Sequence, residues 1–369
     1  MKIGIYTQPL HTNYGGILQA YALQTVLQQM GHEVVVLRKS HIQKLPLLKW
    51  PYSYTKRFVK KFILKKDSMI LLEQYMNRTY EIVGQNTLKF IRNYIINKPF
   101  ENIQDLNLDI IIVGSDQVWR PKYNNPIEES FLNFAKNWNI KRIAYAASFG
   151  TDQWELSPKQ TQNCKELIQL FCAVSVRETS GIMLCKKYLN IEAEHVLDPT
   201  MLLEKKDYVN LYLQADTPKS KGDLLVYFLD ESKQKEELVT FIAKKYKLTQ
   251  FKVNSSVENI YEPLEKRIQP PVEKWLRGFE DAKLIITDSF HACVFSIIFN
   301  KPFIVYGNKE RGISRFHSLL SLFDLTNRLV MNEKEANSLS NEIDWNKINT
   351  KWNNLKQKSI EFLISNILK

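Results

Sequence analysis

The chain has 369 residues, too many for one compact hydrophobic core, so two domains are expected. With 44% hydrophobic and 24% charged residues it has the composition of an ordinary globular protein, which argues against long disordered tracts. No apolar run reaches the length of a membrane span, the four cysteines (Cys164, Cys172, Cys185, Cys293) lack CxxC spacing, and the six histidines are scattered, so no metal site is expected.

In chain order, KIGIYT (2–7) reads as a strand and is too short for a signal-peptide core. With no export signal, the cysteines are expected as reduced thiols and the protein in the cytoplasm. HTNYGG (11–16) is a loop, and ILQAYALQTVLQQMG (17–31) has helical spacing that stops at Gly31. EVVVLR (33–38) is a second strand. Strand, loop, helix and strand make a βαβ unit and imply a parallel sheet.

Much of the net charge of +12 is local: residues 38–66 hold ten Lys or Arg and no Asp or Glu, with Trp50, Tyr52, Tyr54, Phe58 and Phe62 interleaved. The plain reading is a solvated basic helix with one apolar face. The functional reading is a surface for anionic lipid at the inner face of the membrane, or for a lipid-linked acceptor, ahead of a nucleic-acid patch. Together with a helix-like stretch from about Ser68, this region forms an insertion at about 38–97.

Strands are then expected at 109–116, 141–148, 172–178 and 195–200, completing a Rossmann-like domain over residues 1–212. The polar stretch QADTPKSKG (214–222) is a linker. A second Rossmann-like domain covers 222–344, with strands at 224–230, 250–254, 284–290 and 303–307. It also holds helices from about Lys233 and over 273–283. The last segment, 345–369, is a helix expected to pack back on the first domain. The fold class is therefore α/β, two Rossmann-like domains facing a cleft.

Open α/β sheets bind ligands beyond the carboxyl ends of their strands, so the residues there are the candidates. In HTNYGG, Asn13, Tyr14, Gly15 and Gly16 either let a ligand approach the start of the helix or merely make a tight turn. In GSDQVWR (114–120), Ser115 and Asp116 follow an apolar run. Asp116 either faces the cleft, as a base or a sugar acceptor, or caps the next segment. Trp119 either stacks on a sugar or fills the core, and core is the better reading of the residue alone. Arg177 in SVRETSG is either an ion-pair partner of Glu178 or a clamp for carboxylate or phosphate. Asp198 precedes Pro199 and is read as a turn residue. His291, in ITDSFHACVF, opens a helix after a strand, and its proton affinity suits acid–base work near neutrality. Cys293 is read as a packing thiol. Glu310, Arg311 and Arg315 form a charged loop that either binds an anion or is solvated.

Taken together, TQPLHTNYGGILQAYALQ, DIIIVGSDQVWR, RIAYAASFGTDQW, SVRETSG, HVLDPTMLL, ITDSFHACVFSIIFNKPFIVYGN and RGISRF resemble the polysaccharide pyruvyl transferase family across almost the whole chain. The resemblance implies a GT-B-like fold. It also implies transfer of a pyruvyl group from phosphoenolpyruvate to a sugar in a surface polysaccharide or its lipid-linked precursor, with no separate cofactor. His291 matches the family's proposed general acid, Arg177 a donor-binding arginine, and Asp116 an acidic cleft position. One departure is plain: Ser289 stands where well-studied members carry an arginine, so Arg311 or Arg315 is expected to replace that cation. The competing readings are a GT-B glycosyltransferase using a nucleotide-sugar and a non-catalytic saccharide-binding relative.

Overall fold

The computed structural model describes residues 1–39, 42, 45, 50–65, 67–307, 312–340 and 342–368. Its strands form two parallel sheets. The first is built from β1 (Lys2–Tyr6), β2 (Glu33–Arg38), β3 (Asn97–Pro99), β4 (Ile110–Val113), β5 (Lys141–Ala147), β6 (Ala173–Val176) and β7 (Glu194–His195), in the order β3-β2-β1-β4-β5-β6-β7. The second holds β8 (Leu224–Tyr227), β9 (Gln250–Phe251), β10 (Leu284–Thr287), β11 (Phe303–Tyr306) and β12 (Leu329–Val330), in the order β12-β11-β10-β8-β9. The central strands are nearly all apolar: β4 is IIIV and β10 is LIIT, all buried, as a parallel strand covered on both faces requires.

Strand order reverses between β1 and β4 in the first sheet and between β8 and β10 in the second. The loops leaving these four strands line one cleft of about 1280 Å³, with Gln8, Asn13 and Asp116 on one side and Leu229, Asp288 and His291 on the other. Both reversal points therefore open onto the same space, where such sheets bind ligands.

The two halves share a core. Tyr14, in the helix Tyr14–Gln29, stacks on Trp275 of the helix Val272–Asp281 at 5.4 Å, and its hydroxyl donates to the Pro270 carbonyl at 2.8 Å. Tyr208 meets Phe295 edge-on at 4.8 Å. The helix Trp345–Leu368 lies against the first half: Trp352 Nε1 donates to the Met201 carbonyl, Ser359 Oγ accepts from Leu197 N, and Phe362 packs near Tyr145.

Several local expectations are corrected. The first helix starts at Tyr14 rather than Ile17, because the Asn13 side chain accepts from Gly16 N and caps it. The run expected as a strand at 195–200 pairs only through His195. Asp198 then accepts from Thr200 N and turns the chain into a short 3-10 segment at Pro199–Met201. Among the described residues the insertion holds three α-helices, Trp50–Phe58, Leu72–Val83 and Gln85–Tyr94, and returns to the sheet as its edge strand β3.

Candidate active site in the cleft between the two sheets

His291 sits in the first turn of the helix Phe290–Ile298, immediately beyond β10. The short link from strand to helix is fixed by Ser289, whose hydroxyl accepts from Ala292 N and whose own N–H donates to Thr287 Oγ1. The imidazole is 7% exposed and lines the cleft. It packs against the other half of the molecule, where a Cβ on Gly15 would meet the ring atoms. Only glycine leaves room for the ring at that point. His291 Nε2 points to Asp198 Oδ2 at 3.7 Å, too long for a direct hydrogen bond, and has no hydrogen-bond partner.

Asp198, a turn residue on the sequence reading, also stands at the heart of the site. Its Oδ2 accepts from Arg177 Nη1 at 2.7 Å and from Ser115 Oγ at 3.2 Å, while Oδ1 takes the Thr200 N–H and hydroxyl. Burial alone would raise its pKa. His291 and Arg177 outweigh burial and hold the carboxyl well below the usual carboxylate range.

Arg177 is fully enclosed and is not among the residues lining the cleft. Its guanidinium binds Asp198, Asp116 (Nη2 to Oδ1, 3.0 Å) and, at 3.8 Å, Glu178. Burial opposes its charge, but these carboxylates raise its pKa above the ordinary arginine value. The structure thus places this expected donor clamp behind the cleft surface rather than on it. This arginine is neutralised inside the wall, and what it orients is the pair of aspartates. Asp116 does reach the cleft. Burial pushes its pKa up, and Arg177, His291 and Arg315 together bring it below the ordinary value.

Arg315 lies in the first turn of the helix Ile313–Leu322 and lines the cleft. Burial first, and then the like charge of Arg177, bring its pKa down to about 10. Both guanidinium groups lie over the Phe290 ring, Arg177 at 4.7 Å and Arg315 at 5.7 Å from its centroid. Glu310 and Arg311 lie outside the described residues.

Four further candidates are placed differently from a ligand-contact reading. Trp119 is in the core, stacked on Phe131 at 5.0 Å with Nε1 donating to the Ser130 carbonyl, and does not line the cleft. Tyr14 is buried in the joint between the halves. Ser115 is buried, with its N–H donating to Gln19 Oε1 and its hydroxyl directed at Asp198. Gly16 is buried in the capped turn, and Asn13, which caps it, lines the cleft. Ser289 also lines the cleft while capping its helix.

On the second wall, the Lys235 ammonium is buried between Asp230 and Asp288, 2.5 Å from Asp288 Oδ2. Burial raises the Asp288 pKa, and Lys235 only partly offsets it. Glu231, Glu258, Glu262 and Glu265 add acidic character along the same side. Among the described residues, no group of three or more His, Cys, Asp or Glu is placed to hold a metal ion. Cys164, Cys185 and Cys293 are buried free thiols, and burial raises the pKa of each.

Two parallel α/β units with facing reversal points define a GT-B-like fold, and solved structures agree. The UDP-GlcNAc 2-epimerase from Neisseria meningitidis bound to UDP-GlcNAc superposes with a TM-score of 0.52 at 11% identity, covering 100% of both chains. The Methanocaldococcus jannaschii UDP-GlcNAc 2-epimerase in complex with UDP-GlcNAc and UDP gives 0.50 at 12% identity, covering 99% of this chain and 100% of the other. At these identities the likeness is one of fold. A search of curated proteins finds no match. The family model for polysaccharide pyruvyl transferase matches residues 13–310, from the cap of the first helix to beyond β11, and the chain belongs to that family.

Proposed function

We propose that the protein transfers a pyruvyl group from phosphoenolpyruvate to hydroxyls of a saccharide in a surface polysaccharide or its lipid-linked precursor, closing a ketal. The observation that carries this reading is the placement of His291. It is a nearly enclosed imidazole between Asp198 and Gly15, at the point where both sheets open onto one cleft.

In this reading His291 gives a proton to the methylene carbon of phosphoenolpyruvate. Positive character then develops at the adjacent carbon, and a sugar hydroxyl attacks there. Asp116, ionised and facing the cleft, orients that hydroxyl and takes its proton. The carbon–oxygen bond to phosphate breaks, a second hydroxyl attacks the same carbon and loses its proton, and the products are a ketal and inorganic phosphate. Asp198, paired with Arg177, places a carboxylate 3.7 Å from His291 Nε2, opposite the imidazole that delivers the first proton. General acid catalysis of this kind contributes about 10²–10⁴-fold in rate.

The donor carries a carboxylate and a phosphate. Arg315 on the cleft wall and the backbone N–H groups at the start of the helix Phe290–Ile298 are the proposed anion-binding groups. Arg311 remains a candidate by sequence alone. Ser289, in place of the family arginine, contributes a helix cap rather than a cation.

The test is thermal protection by phosphoenolpyruvate against a panel of nucleotide-sugars, followed by phosphate release in the presence of saccharide acceptors. Protection by phosphoenolpyruvate with acceptor-dependent phosphate release is expected. Protection by a nucleotide-sugar alone would move the protein to the glycosyltransferase reading. Acceptor binding without phosphate release would make it a saccharide-binding relative.

A further inference from the structure

We infer that the helical segment Trp50–Ile63, with Leu64 and Lys65, is a docking surface for an anionic lipid bilayer beside the mouth of the cleft. The segment is a helix over Trp50–Phe58 continued by a π-helical turn over Val59–Ile63, and none of its residues is buried. A helix with no buried residue is expected to be largely polar. This one exposes large apolar groups instead: Tyr52 is 70% exposed, Phe58 51%, Phe62 56% and Ile63 67%, and Leu64 continues the patch. Phe58 and Phe62, four residues apart, lie 4.6 Å from each other and form one ridge.

The cations are interleaved with the rings. Lys56 lies 5.6 Å from the Tyr52 centroid and Lys61 lies 5.7 Å from that of Phe62, while Lys60 and Lys65 are also exposed. Arg57 instead pairs with Glu73 at 2.6 Å and ties the segment to the helix Leu72–Val83. Aromatic rings flanked by lysines, with no acidic residue between positions 38 and 66, match a surface that is apolar inside and negatively charged at its face. A bilayer has that layered character, whereas a nucleic acid, whose bases can stack on the rings, offers no apolar medium for Ile63 and Leu64.

Position gives the surface a use. The backbone carbonyl of Asp67, just beyond Leu64, accepts from the Tyr261 hydroxyl at 3.0 Å. Tyr261 belongs to the loop whose Val257, Glu258, Asn259 and Glu262 line the cleft. Arg267, at the end of that loop, donates to Tyr75 Oη at 2.8 Å. A bilayer held by the patch would therefore lie alongside one rim of the cleft, within reach of a saccharide carried on a lipid. The use rests on the proposed transfer to a lipid-linked acceptor; the lipid contact itself does not.

The test is flotation of the full chain with vesicles of phosphatidylcholine alone and of phosphatidylcholine containing about 30% phosphatidylglycerol, without donor or acceptor. Binding to the anionic vesicles only, weakening as salt rises, is expected. The triple change Lys56→Gln, Lys60→Gln, Lys61→Gln should weaken binding by at least about 10-fold, near-surface lysines each contributing substantially. Phe58→Ser with Phe62→Ser should weaken it comparably while leaving the fold and its melting temperature intact, since both rings are exposed. Equal behaviour on neutral and anionic vesicles, or variants that bind as the parent does, would overturn the proposal. So would patch-dependent binding of RNA without vesicle binding, or patch-dependent self-association without it. Phosphoenolpyruvate protection, measured on the same samples, reports separately on the transfer reaction.

Discussion

Gly15 and His291 touch across the joint between the two sheets: a Cβ built on Gly15 would stand 2.0 Å from His291 Nδ1. The first helix of one half thus forms the seat of the imidazole offered by the other. Gly15→Ala should push the ring out of line with Asp198. Overpacking of this kind costs about 1–3 kcal/mol, so the variant should fold. Its transfer rate should fall by at least about 100-fold, as misplacement of a reacting group by about 1 Å does. Stability by denaturant titration and rate by phosphate release check both halves of the expectation; a fully active Gly15→Ala enzyme would show that the ring's position is not critical.

His291→Asn keeps a polar side chain of similar reach but removes the titratable proton. Activity should drop by about 10²–10⁴-fold while phosphoenolpyruvate still protects against unfolding. Loss of donor protection together with activity would move His291 from acid to binding group.

Arg177 and Arg315 should separate cleanly. Arg177→Ala leaves Asp116 and Asp198 buried and uncompensated, and breaking a buried pair by removing one partner costs about 3–5 kcal/mol. Its main effect should be on stability. Arg315→Ala should leave more of the stability and weaken phosphoenolpyruvate binding by about 10–100-fold, the worth of a hydrogen bond to a charged group. Calorimetric titration of the donor and thermal melts decide it. A stable Arg177→Ala protein with weakened donor affinity would support the direct-clamp role.

Acid should unfold the protein partly through Asp198 and Asp116. Both carboxyls titrate below their ordinary value of 3.8 in the folded state, so as pH falls the unfolded chain takes up these protons first. The stability they contribute is complete above the ordinary carboxylate range and drains away as pH falls through it towards the folded values. Asp288, whose pKa is raised by burial, works in the opposite direction over the range just above 3.8. Asp198→Asn should lower stability near neutral pH and flatten its decline below about pH 4, read from denaturant midpoints across pH. An unchanged slope would mean that Asp198 does not carry the acid sensitivity.

Trp119→Ala should cost about 3–5 kcal/mol, as loss of a fully buried large aromatic does. In whatever fraction folds, the acceptor KM should be unchanged, because the ring packs on Phe131 and never reaches the cleft. A large rise in acceptor KM at constant kcat would contradict that placement.

Local pattern makes a good part of this molecule legible. The four buried residues of β4, the apolar run of β10 and the turn that delivers His291 are short-range signals, readable because a strand and the helix it feeds are adjacent in sequence. The pairing of Arg177 with Asp116 and Asp198 is not readable. Those residues come from the ends of β6 and β4 and from the turn after β7, and only the sheet order brings them together. The signal for Asp198 is its position after a strand of the same sheet, but Asp before Pro is so often a turn residue that its second role is masked. Trp119 follows the same strand end as Asp116, yet the turn that exposes the carboxylate carries the indole back into the core.

The bond from Tyr14 to the Pro270 carbonyl, with the stacked Trp275 behind it, also bears on traffic through the cleft. A hinge between the halves would have to part these rings and exchange that buried hydrogen bond for one to water. This joint resists separation of the halves, so the overall dimensions of the protein in solution should change little when a ligand enters the cleft.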